Sequence, residues 1–172
     1  TGGGSALLPA PAGEVSLADL QSTTDSLLES GADIHEINAV RKHLSAIKGG
    51  RLAQAAAPAR VVGLIFSDVV GNDLDVIASG PTAPDASTYE EALAVLDRYG
   101  IDPPASVRKR LEQGIAGTVE ETPRAGDPVF ERVTNHVLAD GFTALVAAVT
   151  VARNAGYDPI ILSSRVRGEA RE

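Results

Sequence analysis

Residues 60–66 read RVVGLIF, and residues 67–85 follow as SDVVGNDLDVIASGPTAPD. The first stretch, Arg60–Phe66, is a continuous apolar run with β-branched residues, which predicts a strand buried on both faces of a parallel sheet. The second is a long polar loop leaving the carboxyl edge of that sheet, where open α/β sheets bind ligands. It carries Asp68, Asp73, Asp75 and Asp85, the hydroxyls of Ser67, Ser79 and Thr82, and Gly71 and Gly80. Carboxylates and hydroxyls beside a phosphate site suit Mg2+, a hard cation that takes oxygen ligands. An ordinary turn-rich loop has the same residue types, with Asp73 or Asp75 merely solvated. The length of this one favours function.

Helical patterns alternate with apolar runs on either side. Ser16–Glu29 has Ser16 as its cap, Asp19 in its first turn, Gly31 as its stop and a stripe of Leu17, Leu20, Thr24, Leu27 and Leu28. Ala32–Ser45 places Ile34, Ile37, Val40 and Leu44 along one face, and a short helix over Leu52–Ala57 follows the Gly49-Gly50 break. Thr88–Tyr99 is helical with Ser87 or Thr88 as cap, and Ala105–Gln113 is helical and ends at Gly114. Phe130–Leu138 reads as a strand, Thr143–Asn154 as an Ala/Val-rich core helix, and Pro159–Ser163 as a final strand. The class is therefore α/β, a Rossmann-like three-layer domain with a mainly parallel sheet, over residues 1–172.

The totals set bounds. A chain of 172 residues can bury a sizeable core. Fifteen Lys plus Arg against 23 Asp plus Glu leave a net charge of -8, which argues against a nucleic-acid partner. There is no Cys, so no disulfide framework and no thiolate chemistry. No apolar run is long enough to cross a bilayer, and the expectation is a cytoplasmic protein without a membrane partner. The chain has no Met, opens inside TGGGSALL and closes inside GEARE, so an excerpt of a longer protein is expected.

Against this acidity, one segment gathers the scarce cations. Lys42, Lys48 and Lys109 are the only lysines, and two of them lie in RKHLSAIKGGR, Arg41–Arg51. Cations at a helix C-terminus are favourable anyway, which accounts for one or two of them. Anionic substrate groups account for the whole cluster. The opening glycines, Gly2, Gly3 and Gly4, with Ser5, allow close backbone approach to an anion, although the run is neither the dinucleotide nor the Walker pattern. His35, His43 and His136 show no metal spacing and read as surface or hydrogen-bonded histidines.

The segments GGGSALL, LLESGADIHEINAVRKHLSAIKGGRLA, SDVVGNDLDVIASGPTAPD with the following Ser87-Thr88, the ETP of Glu121–Pro123 and the closing GEARE occur in order along the whole chain. Together they resemble the glycerate 2-kinases with a C-terminal MOFRL domain, a class often given the name hydroxypyruvate reductase. The resemblance implies transfer of the γ-phosphoryl of ATP to the 2-hydroxyl of D-glycerate, with a divalent metal, giving 2-phosphoglycerate. It also implies a larger two-domain protein. An upstream portion would carry an active-site lysine and a C-terminal domain would form the other cleft wall, so this chain alone would be inactive.

Carried over by motif, Gly2, Gly3, Gly4 and Ser5 contact an anion, and Arg41, Lys42 and Lys48 face substrate or phosphate. Ser67, Asp68, Asp73, Ser79, Gly80 and Thr82 line the same cleft, with Asp68 and Asp73 as metal ligands. Lys48 is assigned to phosphate and Arg41 to the substrate carboxylate, as the catalytic pair. This chain departs from the family pattern twice. Gly71-Asn72-Asp73 stands where relatives show Gly and two acids, so Asn72 is no anionic ligand. Ala139-Asp140-Gly141 stands where relatives read Gly-Ser-Asn, and there Asp140 can replace the Asn in hydrogen bonding. The cofactor expected is Mg2+, with ATP as cosubstrate and D-glycerate and ATP as small-molecule partners. A homodimer is left open. The rival readings are a hydroxypyruvate reductase, for which no G-x-G-x-x-G follows a strand, and a non-catalytic anion- or nucleotide-binding domain.

Overall fold

The computed structural model describes residues 7–166. Helices α1 (Leu17–Ser30), α2 (Ile34–His43) and α3 (Arg51–Ala56) precede strand β1 (Val61–Phe66). Helices α4 (Tyr89–Arg98) and α5 (Ala105–Ile115), strand β2 (Val133–Ala139) and helix α6 (Gly141–Asn154) follow. The class is α/β, as the alternation of patterns predicts.

Local chemistry sets most helix starts. Ser16 and Asp19 cap each other's backbone at the start of α1, as do Asp33 with Glu36 for α2, Thr88 with Glu91 for α4 and Asp140 with Thr143 for α6. Each box satisfies N–H groups that a helix start otherwise leaves open. Gly31 ends α1 in the left-handed region, with φ of 79°. Helix α5 runs one residue past Gly114, to Ile115, and the Tyr89 ring packs where a Cβ on that glycine would sit.

β1 and β2 pair in parallel, with Val61 opposite Val133 and a bulge between Ile65 and Phe66. Both strands therefore deliver their carboxyl ends to one edge, where the Ser67–Asp85 loop and the start of α6 meet. Ser67 N–H continues the ladder to the Ala139 carbonyl at 2.9 Å.

The densest core lies between helices. Leu27, Val40, Leu44, Tyr89, Leu96, Val107 and Leu111 of α1, α2, α4, α5 and the adjoining turn form one buried cluster. Each such side chain contributes roughly 1.5–3 kcal/mol of burial.

Four expectations are corrected here. β1 alternates instead of being buried on both faces: Val62, Leu64 and Phe66 are 56%, 63% and 59% exposed, since no described element covers their side of the sheet. Helix α6 has no buried residue, so it is not core among the described residues. Pro159–Ser163 forms no strand, because this apolar run meets no ladder to pair with. The Phe130–Leu138 strand begins later, at Val133, after Pro128–Arg132 winds into a 3-10 turn.

Candidate anion-binding site

The end of α2 and the start of α3 are joined by Ser45–Gly50, and the strained segment Ala78–Gly80 lies alongside. Ala78, Ser79 and Gly80 take φ of 56°, 61° and 62° in succession. Positive φ at non-glycine residues is costly and persists only where the surroundings enforce it. Here they do. Gly49 N–H donates to the Ser79 carbonyl at 2.9 Å and Gly50 N–H to the Gly80 carbonyl at 2.7 Å. Lys48 Nζ donates to the Ala78 carbonyl at 3.2 Å, and the Ser79 hydroxyl donates to Asn38 Oδ1 at 2.8 Å. Two sequence-distant loops are thus zipped edge to edge, with Lys48 at the seam.

Lys48 and Arg41 line one pocket of about 240 Å3, walled by Pro9, Leu17, Leu20 and Thr24. Burial pushes the Lys48 ammonium down to about 8, and the neighbouring Arg41 guanidinium pushes the same way. Burial also lowers the Arg41 value. Two cations held together in a partly apolar pocket favour an anion between them.

Lys42 points to the other side of α2. Its Nζ donates to Asp85 Oδ1 at 3.0 Å and stands 3.5 Å from Asp75 Oδ2, in a separate pocket of about 420 Å3. Asp85 also accepts from the Ser87 N–H at 3.0 Å and hydroxyl at 2.8 Å, and from the Thr122 hydroxyl at 3.0 Å. Burial alone would raise the Asp85 carboxyl, but Lys42 and Ser87 outweigh it and hold the value below normal. His43, fully buried, has Nδ1 2.6 Å from the Ala39 carbonyl and Nε2 2.8 Å from Glu121 Oε1, as a hydrogen-bonded histidine.

The remaining expected residues spread along the strand edge. The Ser67 hydroxyl bonds within its own turn, accepting from Val69 N–H at 3.2 Å. Thr82 donates to Asn135 Oδ1 at 2.8 Å and so is tied to β2. Asp68 lines a pocket of about 140 Å3 with Asn72, Asp140 and Arg165, while Asp73 accepts the Val76 and Ile77 N–H groups through its carbonyl. Gly2, Gly3, Gly4 and Ser5 lie outside the described residues. The structure thus brings Arg41, Lys48, Ser79 and Gly80 together and sets Lys42, Asp68 and Thr82 apart from them.

The two departures from the family pattern meet. Asn72 Nδ2 donates to Asp140 Oδ2 at 2.8 Å. The Thr143 backbone N–H first, then Asn72, holds the Asp140 carboxyl below its ordinary value. Sequence reasoning missed the work of Asp85, Asn38 and Thr122, whose partners are tens of residues away. The one signal for Asp85 was its place among the loop acids.

A metal cage does not emerge from these donors. Among the described residues, no three or more His, Asp or Glu side chains gather at metal-binding spacing. Mg2+ is usually held by one or two carboxylates together with substrate phosphates, an arrangement that Asp68 or Asp73 could serve in the intact protein, and no step is routed through it.

Parallel strands, loops at their carboxyl edge and a half-buried Arg41 beside the buried Lys48 mark an α/β unit with a candidate anion site. The chain belongs to the family described as Domain of unknown function (DUF4147), whose model matches residues 1–112. It is 50% identical over its whole length to an Agrobacterium vitis protein that carries a hydroxypyruvate reductase name, covering 37% of that protein. It is 45% identical, again over its whole length, to the glycerate 2-kinase of Pyrococcus horikoshii, covering 39% of it. The crystal structure of glycerate kinase from Thermotoga maritima matches 94% of this chain at a TM-score of 0.76 and 45% identity, over 36% of that chain. The chain thus spans well under half the length of the relatives it matches.

Proposed function

We propose that the intact protein is an ATP-dependent glycerate 2-kinase, and that this chain supplies the cationic wall of its active site. The observation that carries this is the pairing of Arg41 and Lys48 in one pocket beside the Gly49-Gly50 turn. The similarity to proteins named glycerate kinase supports glycerate as the acceptor. In this reading the Arg41 guanidinium forks onto the glycerate carboxylate. The Lys48 ammonium faces the oxygens of the γ-phosphoryl group. As the 2-hydroxyl oxygen bonds to the γ-phosphorus, its proton leaves to solvent, the bond to the bridging oxygen of ADP breaks, and Lys48 offsets the negative charge in transit. Phosphoryl transfer asks the protein mainly for positioning and charge. The opening glycines, Gly2–Gly4, with Ser5, would supply further N–H donors to the same anion.

The protein is expected in the cytoplasm. Among the described residues, no helix is long and apolar enough to cross a membrane. Cell fractionation checks the compartment, and light scattering distinguishes a monomer from a homodimer.

One similar protein carries a reductase name, so the test runs both chemistries side by side. The intact protein is given ATP, Mg2+ and D-glycerate with ADP followed, and separately NADH and hydroxypyruvate with absorbance followed. Glycerate-dependent ADP release is the expected result. NADH oxidation without ADP release would overturn the reading in favour of the reductase.

A further inference from the structure

Beneath the Lys48 turn lies a buried polar cluster that the reaction itself does not use. Asp85 is 2% exposed, Lys42 4% and Thr122 2%. Asp85 Oδ1 holds Lys42 Nζ and both donors of Ser87, and Oδ2 holds the Thr122 hydroxyl. Four donors thus hold this carboxylate in place, three on Oδ1 and one on Oδ2.

The cluster forms the floor under Gly49. A Cβ placed on Gly49 would stand 3.0 Å from Asp85 Oδ2, 3.0 Å from Thr122 Cγ2 and 3.2 Å from Lys42 Cβ. Gly49 has φ of 57°, and its N–H is tied to the Ser79 carbonyl on the other side. The backbone next to Lys48 is thus clamped between a charged floor and the strained Ala78–Gly80 segment. A displaced floor would release Gly49, and with it the direction in which Lys48 leaves the chain.

We propose that Asp85 is a positioning residue: acting through Lys42, Thr122 and Gly49, it sets where the Lys48 ammonium stands against the phosphoryl group. This rests on the kinase reading for its effect on turnover, but not for its effect on Lys48 itself. The design follows from the geometry. A buried carboxylate with four donors is rigid, and a side chain that must meet a reacting group within fractions of an ångström needs such support.

The experiment uses the intact protein with Asp85→Asn and, as a milder change that keeps the shape, Thr122→Val. The rate at which an amine-reactive ester acylates Lys48 is followed by mass spectrometry across pH, which gives the titration midpoint of that amine. Glycerate-dependent ADP release is measured on the same samples, corrected for folded fraction. The expected result is a Lys48 midpoint moved upward toward the ordinary lysine value in both variants, more in Asp85→Asn. With it, kcat falls about tenfold or more while the KM for ATP changes little. Folded variants that keep the wild-type midpoint and kcat overturn the proposal. If Asp85→Asn does not fold, Thr122→Val decides by the same two readouts. A wild-type protein without ADP release would sink the kinase reading alone, since the labelling midpoint still tests the role of Asp85.

Discussion

Lys48 is 4% exposed and stands beside the Arg41 guanidinium, and burial and then that neighbour bring its pKa to about 8. The folded value lies below the ordinary 10.5, so the unfolded chain binds more protons between the two and stability rises with pH through that window. Replacing Lys48 by Met removes this dependence. In urea unfolding, the stability advantage of Lys48→Met over wild type is expected to shrink by about 2 kcal/mol from about pH 7 to about pH 10. A gap that stays constant would show that the ammonium is not held in the pocket described. Asp85 has the opposite sign. Its folded value is depressed, so its contribution is present above the ordinary 3.8 and is lost as pH falls through the folded value. Acid unfolding of Asp85→Asn should consequently be less steep than that of wild type.

Among the elements, Gly114 gives the sharpest expectation. A glycine inside a helix costs roughly 1 kcal/mol against alanine, and α5 keeps one in its last turn. The reason is packing. A Cβ there would stand 2.1 Å from Tyr89 Cγ, in a ring that is 1% exposed. Gly114→Ala should therefore lower stability by about 1–3 kcal/mol despite its better helix propensity, read as a drop in the thermal midpoint. A raised midpoint would mean that Tyr89 does not pack there.

The same elements show why part of the fold was legible in the residues. Helix starts at Ser16 and Thr88 are local events, decided by side chains within a few positions, and they stand where the pattern put them. Gly114 misled as a stop signal because its reason is a side chain from another helix. Lys42 read as a ligand-facing cation because its partner, Asp85, is 43 residues away in sequence. Neighbouring positions on a helix face different directions, so Arg41 and Lys42 part company, but spacing alone cannot identify what waits on either side.

In the molecule as a whole, the unmet expectations share one cause. The apolar run of β1, the Ala/Val-rich α6 and Pro159–Ser163 all read as buried, and all show apolar surface. Leu64, Val151 and Leu162 are 63%, 69% and 92% exposed. Apolar patterning reports that a surface is to be covered, not by what. The relatives matched are far longer than this chain. The 172-residue chain on its own is therefore expected to bind an apolar-surface dye such as ANS strongly and the intact protein to bind it weakly. Equal weak binding would mean that the chain covers these faces by itself.

In the proposed reading, Arg41 and Lys48 act together on the anions of a phosphoryl transfer. Its most direct test is glycerate-dependent ADP release by the intact protein carrying Lys48→Ala or Arg41→Ala. For Lys48→Ala, kcat/KM is expected to fall by about 100-fold or more, with the loss in Arg41→Ala appearing mainly as a raised KM for glycerate. Unchanged kcat/KM in both folded variants would contradict it.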